Sequence, residues 1–112
     1  MGKKKGFFSN DMLKTFEGKI FARPSSKRKG YIEYITGRRK IEELRKKGVK
    51  DILCSIVQFD DTETFIVALL DQLKEFFMEE DGLTEMEALK KANMAMDSIE
   101  DLLETTLGLE AS

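Results

Sequence analysis

The chain has no histidine, no tryptophan, and only one cysteine and one proline among its 112 residues. Each scarcity closes off a kind of chemistry. Without histidine there is no Ser-His or Cys-His nucleophile pair, and the commonest general base and metal ligand are both missing. A single thiol closes no internal disulfide and builds no zinc cluster, which predicts a reducing, cytoplasmic setting. Cys54 stands among Ile52, Leu53, Ile56 and Val57 and reads as a small core side chain. No run approaches the roughly 20 apolar residues of a bilayer span, and the opening residues show no signal-peptide h-region, so no membrane contact is expected. Neither a Gly-x-x-x-x-Gly-Lys-Ser/Thr loop nor a Gly-x-Gly-x-x-Gly turn occurs. The expectation is a protein that is not an enzyme and uses no cofactor.

Charge is what the chain has in quantity, and it is divided. Residues 1–50 hold 16 Lys/Arg and 5 Asp/Glu, a net +11, whereas residues 51–112 hold 3 and 16, a net −13; the whole chain shows only −2. Such asymmetry points to nucleic-acid contact or to an acidic interaction segment, against the plainer alternative of neutralisation within one fold. The length suits one domain. A basic arm over 1–10 is expected, then a single compact domain over 11–112 with a basic half (11–50) and an acidic helical half (51–112).

Hydrophobic periodicity gives the elements. Ser9-Asn10-Asp11 caps a short helix over 12–16. Alternation around Phe16–Ala22 and the run Tyr31–Thr36 predict a β-hairpin, its tip being Arg23-Pro24-Ser25-Ser26-Lys27-Arg28-Lys29-Gly30. Ile41 and Leu44, with cations before Gly48, predict a basic helix over 38–47. Residues 49–59 match helical spacing, yet their shortness and β-branching favour a buried strand; the alternative is a mostly α chain with 49–59 helical. The pairs Asp60/Glu63 and Thr84/Glu87 are capping boxes, opening helices over about 61–80 and 84–106 that turn at Asp81-Gly82. The fold class is therefore α+β: an N-terminal hairpin, a short basic helix, one further strand and a C-terminal two-helix hairpin.

The basic half carries the functional expectation. Lys3, Lys4 and Lys5 on the arm, Lys27, Arg28 and Lys29 at the hairpin tip, and Arg38, Arg39 and Lys40 at a helix start form three triplets, joined by Arg23, Arg45 and Lys46. Cations on loops and at a helix N-terminus suit a DNA or RNA phosphate backbone. Tyr31, with Phe7, Phe8, Phe21 and Tyr34 interleaved, adds faces on which unpaired bases stack. The helix start also has an electrostatic conflict, because three cations face the positive end of the dipole and call for an anion there. No helix-turn-helix, zinc-finger or ribonucleoprotein signature accompanies these residues.

A second reading is a protein-interaction module: an adaptor, assembly chaperone or inhibitor of the kind mobile elements carry. Leu89, Met96, Ile99 and Leu103, with Ala92, step by three and four and predict a seam that docks a partner or a second copy. A variant has the acidic helices imitate DNA. The carboxylates at 60–63 and 79–81 sit at helix ends, where capping and the dipole account for the first group; neither has calcium-loop spacing, so no metal is expected.

Overall fold

A computed structural model describes residues 7–107, with side chains described through Ser98. The elements run α1 (Asn10–Phe16), β1 (Phe21–Pro24), β2 (Ile32–Tyr34), α2 (Arg38–Lys46), β3 (Ser55–Ile56), α3 (Asp61–Asp81) and α4 (Glu85–Leu107). The chain is α+β, with a three-stranded sheet and a C-terminal helix pair. It divides into two compact units, Gly18–Gln72 and Met1–Glu17 with Leu73–Ser112, so α3 contributes to both. These boundaries do not follow the basic and acidic halves of the sequence.

Local signals set the helix starts. Ser9 Oγ accepts the Met12 N–H at 3.2 Å and starts α1. At α3, Asp60 N–H donates to Glu63 Oε1 (3.0 Å) and Glu63 N–H returns to Asp60 Oδ1 (2.7 Å). At α4, Thr84 N–H donates to Glu87 Oε1 (2.9 Å) and Glu87 N–H to Thr84 Oγ1 (3.3 Å). Both reciprocal boxes form where the sequence spacing puts them.

In the unit holding both termini, α1 packs on α4. Leu13 and Phe16 from α1 and Ala88, Leu89, Ala92 and Met96 from α4 are buried; the two alanines, wholly inaccessible, permit close approach of the backbones. Asn93 lies in the same interior, 2% exposed. Its side chain accepts the Phe8 N–H at 2.6 Å and donates to the Phe8 carbonyl at 2.8 Å, while its backbone carbonyl accepts the Phe7 N–H at 3.3 Å. The Phe8 ring stacks edge-on to Phe16, 5.3 Å between centroids. Of the arm expected over 1–10, residues 7–9 are thus bound to α4 or cap α1, Asn10 opens that helix, and residues 1–6 lie outside the described residues.

In the other unit the sheet order is β2-β1-β3, with β1 antiparallel to β2 and parallel to β3. The strand expected over 49–59 forms at Ser55–Ile56 alone, at the sheet edge, where Ser55 is half-buried and Ile56 is 51% exposed. Its N–H groups at Ser55 and Val57 donate to the carbonyls of Ile20 and Ala22, both at 2.8 Å. Edge position explains the short length: only one side of the segment has a ladder to join.

Candidate nucleic-acid interface

The hairpin tip is a closed turn organised by Ser25. Its hydroxyl accepts the Lys27 and Arg28 N–H groups (3.2 and 3.1 Å), its own N–H donates to the Tyr31 carbonyl (2.9 Å), and Tyr31 N–H donates to the Arg28 carbonyl (3.1 Å). Such side-chain turns are the local alternative to a ladder that serine offers. Lys27, Arg28 and Lys29 all point into solvent. The Arg28 guanidinium lies 4.8 Å from the Tyr31 ring centroid, and Tyr31 is 59% exposed. A cation held over an exposed ring is already arranged as a stacking platform.

The second cluster begins at Gly37, the N-cap of α2, whose φ of 83° leaves no side-chain cap. Arg38, Arg39 and Lys40 follow in the first turn and are exposed. The anion that this helix start demands is supplied within the unit: Asp71 Oδ2 of α3 accepts the Gly37 N–H at 3.0 Å. A phosphate on that same N–H has to displace Asp71, so the cations here act through their side chains. Arg45 and Lys46 occupy the last turn, where the dipole favours them, and are exposed too. With any described residue, the side chains of Lys27, Lys29, Arg38, Lys40, Arg45 and Lys46 form no ion pair.

The two clusters do not merge. The tip precedes β2 and Gly37 follows it, so they flank opposite ends of one strand; six residues from Tyr31 to Gly37 span about 20 Å at roughly 3.3 Å each. Between them lies an unusual sheet face. Pairing of Ala22 with Tyr34, Pro24 with Ile32 and Ala22 with Ile56 puts these five side chains on one side of the sheet. Ile32 is 44% exposed, Tyr34 37% and Ile56 51%. Glu33 and Arg23, paired in register, share the other side and bind each other there. Apolar side chains are therefore exposed on one side of the sheet, while the Arg23–Glu33 pair, with the Glu33 side chain itself 44% exposed, occupies the other.

Arg23, one of the candidate cations, is held by ion pairs within its unit. Its guanidinium is bonded to Glu33, to Asp61 at 2.9 Å and to the Phe59 carbonyl at 3.2 Å, and both carboxylates raise its pKa further, Glu33 the more strongly. These bonds join the start of α3 to the sheet and engage each of the three guanidinium nitrogens once. Phe8 and Phe21 are likewise engaged, one against Phe16 and one buried, so the tyrosines are the aromatic faces left near the cations. Lys3, Lys4 and Lys5 lie outside the described residues.

Half of the α4 seam is turned inward. Leu89 and Met96 are 2% and 3% exposed and pack the interior of their own unit, because α1 covers that face of α4. A partner cannot reach those two side chains in this fold. Ile99 and Leu103 belong to α4, but their side chains lie outside the described residues. Among the described residues no three or more Cys, Asp or Glu converge as metal ligands, and no helix is long and apolar enough to cross a membrane.

Sequence reasoning missed that Ile32 and Ile56 are exposed on one side of the sheet. The available signal was Glu33 between Ile32 and Tyr34, which places the two apolar side chains on the side opposite the charge. Comparison with known proteins returns no match: no protein family fits the chain, and no curated protein or solved structure is similar to it.

Proposed function

We propose that this protein is a non-enzymatic nucleic-acid-binding protein, holding the phosphate backbone of DNA or RNA through the hairpin tip and α2. The observation that carries the reading is the set of exposed cations, Lys27, Lys29, Arg38, Lys40, Arg45 and Lys46, left without an ion-pair partner among the described residues. Six cations held on one unit of 55 residues, Gly18–Gln72, release counterions together when they meet a polyanion. The unit carries 12 Lys/Arg against 8 Asp/Glu, and three of those carboxylates, Glu33, Asp61 and Asp71, are bound internally.

The test is binding to labelled oligonucleotides across a salt series. The affinity falls steeply with salt, and changing Lys27, Arg28 and Lys29 together to Ala lowers the slope of log K against log salt by about 2, at roughly 0.7 per phosphate contact on a single strand. Absence of binding at about 50 mM salt, where polyanion contacts are strong, overturns the reading.

A further inference from the structure

We infer that the outward sheet face formed by Ala22, Pro24, Ile32, Tyr34 and Ile56 receives unpaired bases, so that the ligand is a single strand and not a duplex. The inference rests on the phosphate-binding reading and goes beyond it, because phosphate contacts alone do not distinguish the two forms.

The face carries no charged side chain, and its exposed members are a ring and two branched aliphatics. Ala22 at its centre is wholly inaccessible, so the surface a ligand can meet is that of Pro24, Ile32, Tyr34 and Ile56. Burying this surface against water-excluding partners is favourable in itself. What selects the partner is the charge around it. Exposed cations stand at both ends of β2, Lys27 to Lys29 before it and Arg38 and Lys40 after it, while Glu33 lies on the reverse of the sheet, bound to Arg23. A ligand that is apolar and planar along its middle and anionic along its edge satisfies both features. A single strand with its bases splayed is that ligand; a duplex hides its base faces in the stack and presents phosphates, sugars and base edges.

The chain supplies its own reporter, since it has two tyrosines and no tryptophan. In the full-length Tyr31→Phe protein, Tyr34 is the sole tyrosine. Its emission is measured while single-stranded and duplex oligonucleotides of the same sequence are added at low salt, alongside anisotropy of the labelled strands. The expected result is quenching by the single strand, at least tenfold preference for it over duplex, and a 5- to 100-fold loss on Tyr34→Ala, in line with roughly one stacked base. Tyr34→Phe restores the affinity, because a phenyl face stacks as well, and Tyr34→Ala leaves the salt slope unchanged. Circular dichroism of both variants checks the fold. Equal binding of the two forms, with Tyr34→Ala neutral, overturns base stacking while leaving the phosphate reading intact. Binding to neither form overturns both. A dimer in sedimentation that Tyr34→Ala dissociates, with no response to oligonucleotide, assigns the face to a second copy and overturns the inference.

Discussion

Gly37 shows how one residue decides a junction. Its φ of 83° lies in the left-handed region, and a Cβ built there falls 2.6 Å from Ile20 Cγ1. Gly37→Ala therefore combines backbone strain with a clash against a buried aliphatic, and a loss of about 2–4 kcal/mol is expected in urea unfolding. Gly48 has the same φ of 83° but nothing within 4 Å of a built Cβ. Gly48→Ala should cost only the strain, about 1–2 kcal/mol; equal losses at the two sites contradict the contact with Ile20. Asn93 is the corresponding residue of the other unit. Its amide meets both backbone groups of Phe8, so Asn93→Leu leaves a part-buried N–H and C=O unpaired at a cost of about 1–3 kcal/mol. Amide exchange at Phe8 reports it: protection is lost if the clamp is real and unchanged if it is not.

Among elements, the helices beginning at capping boxes were the most legible in the sequence. Asp60/Glu63 and Thr84/Glu87 are three residues apart, and their bonds need no distant partner, so spacing alone reveals them. The Thr84 backbone N–H, followed by its hydroxyl, holds the Glu87 carboxyl below its ordinary 4.5. Glu87 thus binds its proton less readily folded than unfolded. Its contribution is present above the unfolded value and fades as pH drops through the lowered folded one. Carboxyl titration by NMR should place Glu87 below 4.5, and Thr84→Ala should bring it closer to that value while costing about 1 kcal/mol of stability. The sheet was less legible. Its third strand was located only within eleven residues, because Ser55–Ile56 is defined by carbonyls of Ile20 and Ala22 more than 30 positions earlier. Arg23 meets both Glu33 and Asp61, and the second of those contacts joins residues no local pattern connects. Two residues of the α4 seam, Leu89 and Met96, pack the interior of their own unit, which periodicity does not reveal, since it shows an apolar stripe but not that α1 packs on α4.

For the whole molecule, the sequence separates +11 from −13 at residue 50, whereas the units separate charge differently. Gly18–Gln72 carries 12 Lys/Arg and 8 Asp/Glu, a net +4, and the remainder carries 7 and 13, a net −6. The cations of the candidate site lie within the first unit, apart from Lys3 to Lys5, and they border the sheet face from both ends of β2 in place of gathering at one point. That arrangement makes the salt dependence the measurement closest to the central claim. Binding of a labelled single strand is followed from about 50 to 200 mM salt for the native chain, for Lys27, Arg28 and Lys29 changed together to Ala, and for Arg38 and Lys40 changed together to Ala. A steep fall in affinity, with both sets of changes lowering the slope, by about 2 and about 1.4 respectively, is the predicted result. A flat salt response, or a slope that neither set alters, contradicts it.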